Sequence, residues 1–308
     1  MPESAADLAE LLAQVRRIEV RTRRMVSTLA AGAFRSAFKG TGLEFDEVRE
    51  YAPGDDVRAI DWNVTARAGR PFVKVFREER ELTILLLVDV SGSMRFGAIP
   101  GVSPRAKLAL AAEAAAVVAI TALKNRDRIG LVRFSERTDL HLPPRRGRSH
   151  ALRLVREVLS AQPSLGPTGL AHVLDELTLV AKRRAVCFLV SDFLFADPAE
   201  EQRFADRLTR TSRRHDIIGL RIADPAEATL PGAGAPLALV DPETGAELTV
   251  STGTRERAAY ARAWRDARER TARRFRTAGC DLVELSTAQP AASALQRFFA
   301  QRRRSAHG

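Results

Sequence analysis

Cysteine is nearly absent from this chain of 308 residues. Cys187 and Cys280 each sit in an apolar, strand-like run, AVCFLV and CDLVEL. Two isolated thiols exclude a disulfide framework, and neither has the spacing or the histidine company of a zinc site. Both are expected to be buried and reduced. The histidines (His141, His150, His172, His215 and His307) are scattered, so none is assigned chemistry. Lysine is also scarce, confined to Lys39, Lys74, Lys107, Lys124 and Lys182. The net charge of +11 is therefore carried by arginine, which with the many alanines fits a codon bias. Such a charge favours acidic surfaces, whether protein, nucleic acid or the inner face of a membrane, without choosing among them.

Long uncharged apolar runs are missing too. A membrane helix needs roughly 20 apolar residues, and the run Leu108 to Leu123 is interrupted by Glu113 and followed by Lys124. The N-terminus, MPESAADLAELLAQVRR, carries acids where a signal peptide carries bases and has no apolar core. A cytoplasmic location is the expectation.

What remains is 45% hydrophobic content, enough for one domain of about 200 residues and a smaller annex. We divide the chain into an N-terminal helical and β annex (1–80) and an α/β domain (81–303). In the annex, Leu8, Leu11, Leu12, Val15 and Ile18 have helical spacing, and GTGLEFDEVREY is extended. Asp61 is placed to cap a short helix through Ala68, closed by Gly69, before the alternating strand PFVKVFRE. From Glu81 onward, apolar strands alternate with amphipathic helices. LTILLLVDV, RIGLVRF, AVCFLV, DIIGLRI and CDLVEL read as strands, and DLHLP as the hairpin partner of RIGLVRF. Ser103 and Pro104 look like the cap and first position of a helix to about Lys124. A hairpin expected near 236–250, PLALV and AELTV around DPETG, interrupts the rhythm. This pattern predicts an open, mostly parallel, doubly wound sheet with helices on both faces.

DVSGSM, residues 89 to 94, ends the first buried strand, where ligands bind in an open parallel sheet. The Asp89 carboxylate and the Ser91 and Ser93 hydroxyls form an all-oxygen set at alternating positions, suited to Mg²⁺ or Mn²⁺. Tracing strand directions brings the loop carrying Thr168 and the strand end carrying Ser191 and Asp192 to the same edge. The bland alternative is a strand-ending turn with polar caps. A phosphoaspartyl enzyme is disfavoured, because Ser91 stands where its acid/base aspartate is needed.

The set Asp89, Ser91, Ser93, Thr168 and Asp192 resembles the metal-ion-dependent adhesion site of the von Willebrand factor A superfamily. The resemblance implies a von Willebrand factor A-like fold, with Ser91, Ser93 and Thr168 contacting the metal directly or through water and Asp89 and Asp192 behind them. It also implies an open coordination position that accepts a partner's Asp or Glu carboxylate.

A second motif, REYAPGDDVRAIDWNVTARAG, runs from Arg49 to Gly69. It resembles the signature of a bacterial family, the domain of unknown function numbered 58, whose members often accompany MoxR-type AAA+ ATPases; PPRRGR, with Arg145, Arg146 and Arg148, is similar as well. Within the first segment, Asp55, Asp56 and Asp61 are expected to pair with Arg49, Arg58 and Arg67, with Tyr51 and Trp62 as anchors. The alternative is a second metal or nuclease-like carboxylate cluster, which the intermixed arginines would neutralise. Arg145, Arg146 and Arg148 trace to the edge opposite the metal, the arginines of 255–276 to a solvated helix face, and Arg302 to Arg304 to a frayed tail. The resulting expectation is a non-enzymatic, metal-dependent interaction protein partnering a MoxR-type ATPase. The alternatives are a nucleic-acid or anionic-membrane binder resting on the charge and, less favoured, a metal-dependent phosphatase or nuclease.

Overall fold

The chain forms two compact units, residues 38–82 and residues 1–37 with 83–308. The computed structural model describes residues 13, 15–20, 22, 43–78, 81–99, 103–162, 166–195, 197–232 and 235–305. Leu8, Leu11, Leu12 and His307 lie outside them.

In the small unit, β1 (Leu43–Glu50) pairs antiparallel with β2 (Phe72–Glu78). The acids of the connecting segment are used locally. Arg49 holds both carboxylate oxygens of Asp55 at 2.7 Å, and Asp55 also accepts the Ala52 amide at 2.9 Å. Asp56 accepts the amide, not the guanidinium, of Arg58. Asp61 caps α1 (Trp62–Ala68) through the Asn63 and Val64 amides, and Gly69 closes that helix. The cation beside Asp61 is Lys74, at 3.4 Å, rather than an arginine. Tyr51 is half-buried, and Trp62 is 69% exposed.

The sequence division at 80/81 groups the N-terminal residues with the annex, whereas residues 1–37 cluster with the larger unit. Residues 15–20 are helical, with Val15 buried. Glu19, also buried, takes the Arg148 guanidinium at 2.9 Å. The acidic partner of PPRRGR at Arg148 is thus this chain's own Glu19.

The large unit is built on a six-stranded sheet. Its strands are β3 (Thr83–Asp89), β4 (Arg128–Phe134), β5 (Thr138–Arg145), β6 (Val186–Ser191), β7 (Asp216–Ala223) and β10 (Asp281–Ser286). Their spatial order is β10-β7-β6-β3-β4-β5, all parallel except β5 at the edge. Strand β3 is central and buried on both faces because its apolar run is unbroken. Side chains alternate across it. Leu85 and Leu87 join Cys187, Leu189 and the apolar faces of α4 (Leu170–Val180) and α5 (Pro198–Ser212), together with Phe275 of α6 (Thr254–Thr277). The opposite face carries α2 (Lys107–Asn125), α3 (Arg148–Leu159) and α7 (Ala291–Ser305), where Phe188 meets Phe299 edge-on at 6.4 Å. The fold class is therefore α/β with an open, mostly parallel sheet covered on both faces, and β8 (Leu237–Val240) and β9 (Glu247–Val250) form a separate hairpin.

Several boundaries differ from expectation. Helix α2 starts at Lys107, not Ser103, because the Ser103 hydroxyl accepts the Ile99 amide and so closes the preceding loop. By length and composition α2 does suffice to cross a membrane, despite Glu113. It lies mostly buried instead, with Glu113 taking the Ala291 amide at 3.0 Å and the Arg105 guanidinium. Arg302 to Arg304 belong to α7 rather than a frayed tail, since Arg302 bridges Asp216 (2.5 Å) and Asp281 (2.8 Å). Cys187 is buried and Cys280 only partly so; burial pushes the thiol of Cys187 up and that of Cys280 to about 12, so both stay protonated.

Phe275 fastens α6 to the sheet. It stacks edge-on with Phe193 at 5.2 Å and tilts against Phe204 at 5.9 Å. Its ring lies so near Gly219 of β7 that a Cβ there would meet it at 2.6 Å. Phe275→Ala is expected to cost about 3–5 kcal/mol, lowering the melting temperature by on the order of 10 °C. A thermal melt showing no change would refute this packing.

Candidate metal centre

Strands β3 and β6 are parallel neighbours, with Val88 opposite Val190. They are also the pair at which the sheet's winding reverses, since chain order runs outward from β3 through β4 to β5 on one side and from β6 through β7 to β10 on the other. A crevice opens beyond the carboxyl ends of the strands at such a switch point. The last residues of the two strands, Asp89 and Ser191, face this crevice.

Asp89 is completely buried, and local bonds direct both its oxygens. Oδ1 accepts the Ser91 amide at 2.8 Å and Oδ2 accepts the Ser191 hydroxyl at 2.6 Å. The first bond folds the chain back so that Ser91 and Ser93 stand on the same side of the loop, their hydroxyl oxygens 3.2 Å apart. Thr168 arrives on the loop before α4, which is seated by the Gly169 amide on the Ser135 carbonyl at 2.7 Å. Asp192 follows Ser191, its Oδ1 accepting the Leu194 amide at 3.1 Å. The chain thus brings all five expected residues to one edge of the sheet, and each is at most 6% exposed.

Three further groups had no role in the sequence reading. Lys107, the first residue of α2, is fully buried with its ammonium 2.6 Å from Asp192 Oδ2 and 2.5 Å from Glu227 Oε1. Burial alone would depress its pKa, but Asp192 and Glu227 outweigh this and hold it above its usual value. Glu227 is itself fixed by a capping box with Asp224 in the turn after β7. The third group is Glu243, in the tip of the β8–β9 hairpin, whose Oε1 accepts the Thr168 hydroxyl at 2.7 Å. Its carboxyl is pushed up by burial and by Asp192 and Asp241, against the Thr168 bond and Lys107. A buried lysine at a helix start and a glutamate in a hairpin turn carry no motif, so only the fold reveals them.

The electrostatics fit a cation. Burial, with Asp192 nearby, pushes Asp89 up to about 7 despite its bonds from Ser191 and Ser91. Lys107 satisfies Asp192, but no basic side chain bonds Asp89 among the described residues. There is also no group of three or more His, Cys, Asp or Glu that could hold a metal among them. The donor set here is instead hydroxyl-rich, from Ser91, Ser93 and Thr168, which suits a hard ion such as Mg²⁺ or Mn²⁺ that keeps several waters.

The raised pKa of Asp89 means that the metal-free fold prefers its protonated form. Stability from this group is therefore lost as pH rises from the ordinary carboxylate range to about 7. In chelator, Asp89→Asn is expected to melt several degrees above the wild type at pH 8 and to lose that advantage at pH 4. Equal melting temperatures at pH 8 would contradict the assignment. Lys107→Met, which leaves Asp192 and Glu227 without their cation, is expected to destabilise by about 3–5 kcal/mol in chemical denaturation.

A family model covers most of the chain. The model for "Protein of unknown function DUF58" matches residues 47–270. The chain is 32% identical over 302 residues to uncharacterized protein Rv1480 of Mycobacterium tuberculosis and to uncharacterized protein Mb1516 of Mycobacterium bovis, covering 97% of this chain and 92% of each relative. Among solved structures, the conserved hypothetical protein BatB from Bacteroides thetaiotaomicron superposes with a TM-score of 0.47 at 14% identity, over 72% of this chain and 99% of that one. The SpRpn10 VWA domain gives 0.41 at 12% identity, over 70% and 93%. A von Willebrand factor type A protein from Catenulispora acidiphila gives 0.41 at 14%, over 86% and 52%. With nearly three-quarters of its length matched by the family model, this chain belongs to the protein family of unknown function DUF58.

Proposed function

We propose that this is a cytoplasmic, non-enzymatic interaction protein whose large unit recognises a partner through a divalent cation at the β3/β6 switch point. The observation that carries the reading is a buried Asp89 that accepts the Ser91 amide and the Ser191 hydroxyl and, among the described residues, bonds no basic side chain, with the Ser91 and Ser93 hydroxyls 3.2 Å apart beside it and Thr168 on the same edge of the sheet. Ser91, Ser93 and Thr168 would hold Mg²⁺ or Mn²⁺, with Asp89 and Asp192 behind them. When bound, the ion supplies a coordination position for an Asp or Glu carboxylate of the partner.

The chain's own residues do the organising. Asp89 sets the serine loop through the Ser91 amide and ties it to β6 through Ser191. Lys107 holds Asp192 against the crevice and balances part of the negative charge. Asp192 is engaged by Lys107, and the Asp89 oxygens by Ser91 and Ser191, so both carboxylates are committed to positioning. The partner we propose is a MoxR-type AAA+ ATPase, in keeping with the resemblance carried by Arg49 to Gly69.

The net charge of +11 favours acidic partners in general and by itself names no site, and several of the arginines are held by acids. Arg270 and Arg274 of α6 face Glu201 at 3.4 and 3.7 Å, Arg276 pairs with Glu269 at 2.7 Å, and Arg268 and Arg221 share Glu284. Calorimetry is expected to show Mg²⁺ or Mn²⁺ binding that Asp89→Ala abolishes. A pull-down of the MoxR-type ATPase should lose at least about tenfold in affinity, or roughly 1.4 kcal/mol, in chelator or with that variant. Partner binding indifferent to both would sink the proposal, as would chelator-insensitive, steeply salt-dependent binding to DNA near physiological salt.

A further inference from the structure

From the seat of the β8–β9 hairpin tip on the metal-site loops, we infer that Glu243 is an internal ligand, occupying the position that a partner's carboxylate must take. The inference rests on the metal reading above and extends it to how access to the site is controlled.

Three contacts place the tip. The Glu243 side chain accepts the Thr168 hydroxyl at 2.7 Å, and its carbonyl accepts the Gly166 amide at 2.8 Å, so the residue is anchored at both ends to the loop that delivers Thr168. On its other side, the Pro242 carbonyl lies against Gly92, between Ser91 and Ser93. A Cβ built on Gly92 would stand 1.9 Å from that oxygen, so the serine loop accommodates the hairpin only with glycine there. The tip therefore bridges both hydroxyl-bearing loops of the proposed site. It presents a carboxylate, the group the proposed cation would seek from a partner.

The tip is shaped for this. Asp241 Oδ1 accepts the Glu243 amide at 2.9 Å, and Asp241 Oδ2 accepts the Thr244 hydroxyl at 2.7 Å. The carbonyl of Asp241 takes the Gly245 amide at 2.8 Å. Of the turn residues 241–245, Glu243 alone is shielded from solvent to an intermediate degree; the others are exposed. The rest of the hairpin is lightly held. It is a two-stranded ribbon outside the main sheet, with Val240 61% and Leu248 62% exposed, and such ribbons are marginally stable alone. A strong local seat on a weak ribbon is a displaceable plug: a partner carboxylate competes with Glu243, and the hairpin lifts away when the partner wins.

The test uses the full chain and Mn²⁺ alone, followed by a short oligoglutamate peptide as the partner mimic. In Glu243→Gln the amide oxygen still accepts the Thr168 hydroxyl, so the hairpin seat survives while the charged ligand is lost. Mn²⁺ affinity is expected to fall roughly tenfold, and proton relaxation should count one more water on the bound ion. At saturating Mn²⁺, the oligoglutamate peptide should bind the variant at least about tenfold more tightly than the wild type, since it no longer competes with Glu243. In the wild type, hydrogen exchange at the amides of 243–246 should slow on adding Mn²⁺ and quicken on adding the peptide, a readout independent of the variant's folding. Unchanged Mn²⁺ affinity and water number in Glu243→Gln, or exchange in the turn indifferent to Mn²⁺, overturns the plug while leaving the metal site standing. A wild type that fails to bind Mn²⁺ overturns both.

Discussion

A carboxylate with no exposed surface, at the point where a parallel sheet reverses its winding, governs the rest of the architecture. Taking Asp89 out of water is costly, and the protein offsets that cost only in part. One oxygen accepts an amide from the residue two ahead, and the other accepts a hydroxyl from the neighbouring strand. Those two bonds shape the DVSGSM loop and tie β3 to β6 at their carboxyl ends. They do not neutralise the charge, which is why the carboxyl remains pushed up. A hard cation held by Ser91, Ser93 and Thr168 would complete the balance.

The surrounding charges follow from this constraint. Asp192 would repel Asp89 if both were bare, and Lys107 separates their roles by drawing Asp192 into its own pair. The ammonium is bound from the far side by Glu227, which the Asp224 turn after β7 holds in place. A lysine at the start of α2, an acid after β6 and an acid after β7 thus form a chain of alternating charge under the site. Buried pairs of this kind are poor sources of net stability but sensitive to the loss of one member. Their value here is positional, because they leave Asp89 with no basic side chain bonded to it among the described residues.

The same local logic recurs in the small unit, where it serves turns instead of a ligand. Asp55, Asp56 and Asp61 all accept backbone amides at the starts of turns or helices. Each acid is already occupied, and Arg49 and Lys74 cover two of them. Among the described residues no three acids gather into a group that could hold a metal. The arginine-rich surface behaves similarly where pairs form: Glu201 and Glu284 each meet two arginines.

Short-range patterning determined much of this protein by itself. An unbroken apolar run marked β3 as a doubly buried strand, AVCFLV marked β6 as a strand, and Asp61 with Gly69 marked both ends of α1, because capping and burial periodicity act within a few residues. Strand direction, counted along the chain, was enough to bring Asp89, Ser91, Ser93, Thr168 and Asp192 to one edge. Only the tertiary structure decided the remaining features. Lys107, Glu227 and Glu243 reach the site from a helix start, a turn and a hairpin tip that no spacing rule connects to Asp89. Ser103 lost its place as the helix cap to a loop bond. The contacts of Lys107, Glu227 and Glu243 depend on long-range geometry, in which residues 75 to 120 positions apart share a charge or a hydrogen bond, and no local sequence pattern records that.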